Sequence, residues 1–207
     1  MIDLYTWTTP NGRKISIALE EMGLPYTVKT VNIRADEQFK PEFLAVSPNN
    51  KIPAIVDHET DISVFESGAV LIYLAEKSGK FLAAPGTKAR AKALEWLMWQ
   101  LAGFGPMLGQ LTHFARYRED KIPEAIERFA TEAARLYKVL DKQLGANEYV
   151  AGEYSIADMA IYPWSVLALE AVQEMSGQTF ANAARWHKTM EARPAVASGM
   201  KVPPPQD

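Results

Sequence analysis

The chain has 207 residues, 48% of them apolar and 23% charged, with a formal net charge of −3. That is enough apolar material for one or two cores, and the lack of a basic block or one-sided basic stripe excludes a nucleic-acid or membrane-surface footprint. No cysteine is present, which excludes disulfide scaffolding, a protein thiol nucleophile and a thiolate metal site.

His58, His113 and His187 lie far apart without ligand spacing, so no metal is expected. The N-terminal residues lack the basic, apolar and small-residue segments of a secretory signal. The longest nearly apolar run, Met159 to Leu169, contains Pro163 and Ser165 and falls short of the roughly 20 residues a membrane span needs. A soluble, cytoplasmic chain is the expectation.

In chain order, Ile2 to Trp7 reads as a strand, and TTPNGRK, residues 8–14, hands over to a helix. Ile15, Ala18, Leu19 and Met22 form its apolar stripe, and Gly23 is a natural stop. Tyr26 to Ile33 is β-rich, and Glu37 to Val46 has the pattern of a short helix that Ser47-Pro48-Asn49-Asn50 breaks. Ile52 to Val56 and Ile62 to Phe65 are short strands around a polar hairpin loop, and Ser67 to Lys77 returns to helix. The order β-α-β-α-β-β-α predicts a small mixed sheet, its first two strands parallel through a helical crossover and its last two antiparallel.

Residues 78–86, SGKFLAAPGT up to its glycine, read as a linker between a domain over 1–80 and an all-helical domain over 87–207. Thr87 to Tyr117 is one long helical stretch that Gly103, Gly105 and Pro106 should kink. From Ile122 through Ile126, Phe129, Ala133, Leu136 and Leu140 to Leu144 the steps of three and four predict a long amphipathic helix. Ser155 to Glu170 and Thr179 to Arg193 supply further helices, and the triple proline near the C-terminus ends regular structure.

Four stretches can carry chemistry, and each also has a structural reading. TTPNGRK is a strand-to-helix turn in which Thr or Asn caps and Gly relieves strain; the same geometry offers unpaired N–H groups, a hydroxyl and a carboxamide to an anion. In Ser47-Pro48-Asn49-Asn50-Lys51-Ile52-Pro53, the proline before a short strand has the frame of a cis peptide, although X–Pro bonds are mostly trans. In Phe65-Glu66-Ser67-Gly68, Ser67 and Glu66 suit a helix N-terminus by capping or by ligand binding. Ser155 and Asp158 have capping-box spacing with Tyr154 and Met159 at the staple positions, a structural motif.

NNKIPAI with Pro53, FESGAVLIYLAEK with Glu66 and Ser67, and SIADMAIYPW with Asp158, in this order and spacing, resemble the glutathione transferase superfamily over nearly the whole chain. TTPNGRK, SPNNKIPAIVDHE and GPMLGQ are most similar to its bacterial Nu class, which includes glutathione-dependent disulfide-bond reductases. The resemblance implies an α/β thioredoxin-like N-terminal domain followed by an all-α C-terminal domain, a homodimer, and glutathione as the substrate. It places Thr9 and Asn11 at the glutathione sulfur, and Gln38, Lys51 and Ile52 on the tripeptide backbone and glycyl end. It makes Pro53 the cis proline, puts Glu66 and Ser67 at the γ-glutamyl amine and carboxylate, and puts Arg128 at a second glutathione. Tyr5 lies too early in the first strand to act as the tyrosine of other classes, and no serine or cysteine occupies the turn.

A thiol near pKa ~8.5 is mostly protonated at neutral pH, and only its thiolate attacks well. Thr9, Asn11 and the first helix N-terminus offer donors and positive potential but no strong base, so they act by stabilising the anion. Lys51, Ser67 and Glu66 match the two carboxylates and the amine of glutathione. Two reactions then open: attack on a disulfide, or conjugation to a small hydrophobic electrophile. A non-catalytic interaction module of the same fold is the remaining alternative, and intact Thr9, Asn11, Lys51, Glu66 and Ser67 argue against it. Phe104, Met107, Phe114 and Trp164 are candidates for an electrophile-facing wall or for ordinary core.

Overall fold

In the computed structural model, which describes residues 1–204, the chain forms two units: Met1–Leu82 joined by the chain from Glu191, and Ala83–Met190. The first unit holds one four-stranded sheet in the order β2-β1-β3-β4. β1 (Ile2–Thr6) pairs parallel with β2 (Tyr26–Thr30), β3 (Ala54–Asp57) runs antiparallel to β1, and β4 (Ile62–Phe65) antiparallel to β3. This is the mixed sheet the element order predicts. β3 begins later than the expected Ile52, because Pro53 has no N–H to give to the ladder.

Helix α1 (Pro10–Met22) makes the parallel crossover. Thr9 caps it, Pro10 occupies its first turn, and Ile15, Ala18, Leu19 and Met22 are buried. Gly23 ends it at φ 69°, its N–H returning to the carbonyls of Glu20 and Leu19. The helix expected over 37–46 is split into a 3-10 turn, Glu37–Phe39, and one turn of α2 (Pro41–Leu44); Pro41 has no N–H with which to continue the first piece. Helix α3 (Ser67–Ser78) follows β4 directly.

The chain from Glu191 differs from the expected all-helical domain over 87–207, since it belongs with the first unit. Helix α9 (Pro194–Gly199) lies against α1 so closely that a Cβ on Gly199 would stand 2.6 Å from the Ile17 nitrogen. Ser16 donates its hydroxyl to the Gly199 carbonyl at 2.7 Å, and Arg193 makes a two-pronged pair with Glu21 at 2.7 and 2.9 Å. Of the triple proline, Pro205 lies outside the described residues.

The second unit is helical: α4 (Lys88–Trp99), α5 (Gly105–Thr112), α6 (Pro123–Ala146), α7 (Ile156–Ser176) and α8 (Ala181–Glu191). The expected kink is a π-helical turn over Gln100–Phe104, and a second closes α5 at His113–Tyr117. Pro106 supplies no N–H to the helical ladder, a recognised cause of such a turn. On α6 the lower part of the stripe, Ala133, Leu136, Leu140 and Leu144, is buried, whereas Ile122 is exposed. Buried Asp158 completes a capping box with Ser155 and also accepts from Val150 N at 3.0 Å and Trp186 Nε1 at 3.1 Å. No helix among the described residues is long and apolar enough to cross a membrane.

Candidate active site

The turn after β1 is built by three contacts. Thr9 Oγ1 accepts from Gly12 N at 3.2 Å, so its own O–H remains a donor. The Thr9 carbonyl accepts from Arg13 N at 3.1 Å. Gly12 is pressed so closely under the strand end that a Cβ there would collide with Thr6 Oγ1 and stand 2.6 Å from the Trp7 carbonyl oxygen. Glycine is therefore required here by close approach, and Asn11 is carried beside it on the first turn of α1.

Asn11 lines a cavity of about 150 Å³ together with Ser47, Lys51, Ile52, Pro53, Phe65, Glu66 and Ser67. The Ile52–Pro53 peptide is cis. Ser47 Oγ holds the Lys51 carbonyl at 2.8 Å, which fixes the loop just before it. Across the cavity Glu66 sits at φ 69° and ψ 116°, a backbone region that non-glycine residues rarely adopt; such positions cost about 1–3 kcal/mol and mark functional sites. Glu66 leads into α3, whose N-terminus has no side-chain cap and no acidic residue in its first turn. The first N–H groups of a helix lack intrahelical partners, and an anion suits them.

Of the residues proposed from the sequence, Asn11, Lys51, Ile52, Pro53, Glu66 and Ser67 thus share one cavity. Thr9 is not among its lining residues and instead holds the turn that presents Asn11. Gln38 lies in the 3-10 turn, its amide 3.4 Å from Asp36 Oδ1. Arg128 is exposed on α6 and lines a different groove with Met107, Glu124, Glu127, Phe129 and Glu132. Phe104 is fully buried between Trp99 and Tyr137, ring centroids 4.9 and 5.2 Å away, and is core. Phe114 stacks on Phe129, and Trp164 covers Gly109. Tyr5 packs on Phe43 at 6.1 Å. Among the described residues no group of three or more histidines and carboxylates is placed to hold a metal ion.

Two residues at the cavity do not stand out in the sequence, Ser47, which reads there as a helix breaker, and Lys14. Lys14 is 2% exposed, and its ammonium donates to Ser67 Oγ at 3.3 Å. Burial pulls that ammonium down to about 7, against the opposing field of Glu66. A signal existed: Lys14 precedes Ala18 and Met22 by four and eight positions, and so shares the phase of the buried stripe.

The chain matches the glutathione S-transferase N-terminal domain over residues 8–77 and the C-terminal domain over residues 106–194. It is 47% identical over 206 residues to the disulfide-bond oxidoreductase YfcG of Escherichia coli, covering 97% of this chain and 94% of that protein. A glutathione transferase family member from Pseudomonas fluorescens, solved with two glutathiones bound, superposes with a TM-score of 0.91 at 46% identity, over 98% of this chain and 93% of that one. A glutathione transferase from Pseudomonas putida, solved with one glutathione disulfide per subunit, gives 0.91 at 41% identity, over 98% and 91%. With both domains matched and a relative of this identity over nearly its whole length, the chain belongs to the glutathione transferase superfamily.

Proposed function

We propose that this protein is a glutathione-dependent disulfide-bond reductase. The observation that carries the reading is the convergence of Asn11, Lys51, Glu66 and Ser67 on one small cavity beside two helix starts. The set matches glutathione charge by charge: Lys51 takes the glycyl carboxylate, Glu66 the amine, and Ser67 with the α3 N-terminus the γ-glutamyl carboxylate. Ile52 and the cis Pro53 present backbone to the peptide, a role the reading also gives to Gln38, which lies outside the cavity lining. Asn11 faces the sulfur, and Thr9 holds the turn that presents it, its own O–H still free to donate toward the same anion. The names and bound ligands of YfcG and the two Pseudomonas structures support this assignment.

The chemistry needs no protein thiol. The α1 N-terminus and the Asn11 amide favour the thiolate over the thiol, whose proton leaves to water. The thiolate attacks one sulfur of a disulfide. A glutathione–substrate bond forms, the substrate S–S bond breaks, and the leaving thiolate takes up a proton. A second glutathione thiolate, with Arg128 contributing to its site, attacks the glutathionyl sulfur of the mixed disulfide. Oxidised glutathione forms and the second substrate thiol is released, so two glutathiones are oxidised for each disulfide reduced. The reading includes a homodimer working where reduced glutathione is plentiful, in the cytoplasm.

The test is the steady-state rate of glutathione-dependent reduction of a small disulfide such as bis(2-hydroxyethyl) disulfide, beside conjugation of an aryl halide at the same glutathione concentration. A disulfide rate well above the conjugation rate is expected. A dominant conjugation rate would make the protein a transferase for hydrophobic electrophiles, and silence in both a binding module.

A further inference from the structure

Lys14 is the charged residue among the buried residues of α1. It is as buried as the aliphatic residues around it and stands directly behind the cavity wall. Its ammonium meets Ser67 Oγ at 3.3 Å, and Ser67 in turn lines the cavity. A lysine ammonium only donates, so the serine oxygen accepts, and the serine's own proton is left to point elsewhere.

We propose that Lys14 is a positioning residue for an anionic group in this cavity: it holds Ser67 as a hydrogen-bond donor to a carboxylate and places a buried positive charge one layer behind it. The proposal rests on the glutathione reading, with the γ-glutamyl carboxylate as the anion. It has a consequence that a packing role lacks. Burial pulls the ammonium down to about 7, and a carboxylate arriving one layer away favours the protonated form. Binding therefore takes up a proton from solution.

Among the described residues, the elements packed on α1 are α3, α9 and β1. Glu66, leading into α3, favours the ammonium. Toward the far end of α3 Lys77 is paired with Asp57 and Glu59. The α9 segment Pro194–Gly199 carries no charged side chain. On β1, Asp3 is engaged by Lys29 and His58, and Tyr5 packs on Phe43. Along α1 itself, Glu20 accepts from the Tyr26 hydroxyl and Glu21 from Arg193. Arg13 adjoins Lys14 in sequence and keeps its charge at neutral pH.

The experiment is titration calorimetry of S-methylglutathione into the full chain near neutral pH, in two buffers of unlike ionisation heat. This probe has no thiol, so sulfur ionisation releases no proton. Uptake of a fraction of a proton is expected, with affinity that tightens as the pH is lowered through neutrality. Lys14→Met should weaken binding about tenfold, the scale of one hydrogen bond from a charged donor, and abolish the uptake. Lys14→Arg should retain most of the affinity yet also abolish the uptake, because arginine does not deprotonate. Binding to the unaltered protein without proton uptake overturns the role of Lys14 alone, whether or not the variants fold. Uptake that persists in Lys14→Met does the same. Absence of binding to the unaltered protein overturns this inference together with the glutathione reading.

Discussion

Truncating Asn11 to alanine separates holding glutathione from activating it. Asn11 lines the cavity at the start of α1, but the turn beneath it is held by other groups: the Thr9 hydroxyl on Gly12 N, the Thr9 carbonyl on Arg13 N, and the close seat of Gly12. The backbone should therefore survive the change. If the amide donates to the sulfur, the loss is one hydrogen bond to a charged acceptor, about 1.5–3 kcal/mol, or roughly ten- to a hundredfold in turnover. The carboxylates and amine of the ligand are met by Lys51, Glu66 and Ser67, which the substitution leaves alone. Affinity for glutathione should then fall by no more than about tenfold. Steady-state disulfide reduction gives the first quantity and calorimetry the second. Ultraviolet absorbance of the bound thiolate supplies a third, and the bound thiol should ionise about one to two pH units higher than in the unaltered protein. Equal losses in binding and turnover, or an unmoved thiol titration, would refute the assignment of Asn11 to the sulfur.

Gly199→Ala should destabilise the first unit by about 1–3 kcal/mol in chemical denaturation, because its Cβ would stand 2.6 Å from the Ile17 backbone nitrogen and neither helix can yield without losing the Ser16 and Arg193 contacts. Glu66→Gly should raise thermal stability by about 1 kcal/mol, since glycine tolerates the φ of 69°; glutathione affinity should fall at the same time, and a variant that gains stability without losing affinity would remove Glu66 from the ligand site. The partly buried His187, 2.8 Å from Ser165 Oγ, is pulled by burial to about 4. Because this lies below the ordinary 6.5, its stabilising contribution is full above 6.5 and is lost as the pH falls through about 4, a change of roughly 3 kcal/mol. Asp158, pushed by burial up to about 6 from 3.8, works the other way, favouring the folded state as pH falls across that interval; the His187 effect is therefore read as the difference in urea-unfolding free energy between the unaltered protein and His187→Gln, which should narrow on acidification.

Features carried by neighbouring residues were legible in the sequence. The α1 stripe, the stop at Gly23, and the Ser155–Asp158 capping box are each decided within a few residues, and each stands where expected. What depends on distant chain was not legible. Whether α9 joins the helical unit or the first unit is decided by Gly199 against Ile17, far apart in sequence. The positive φ of Glu66 contradicts its local preference and appears only once β4 and α3 are joined. Lys14 reads as surface by residue type and as core by helical phase, and the fold follows the phase.

Local rules are broken at two adjoining places, one in the cavity wall and one behind it. A glutamate occupies a backbone conformation suited to glycine, and a lysine is buried in an aliphatic stripe. Each carries a local cost: glycine would relieve the strain of the first, and the second desolvates a charge. Yet the two are electrostatically coupled, and Ser67 stands next to the one and in hydrogen-bond contact with the other. A local cost repeated on both sides of one serine is hard to reconcile with packing, because packing would be satisfied more cheaply at each position separately. It is what a site needs if it must receive an amine and a carboxylate side by side, since an acid must face the amine and a donor backed by positive charge must face the carboxylate.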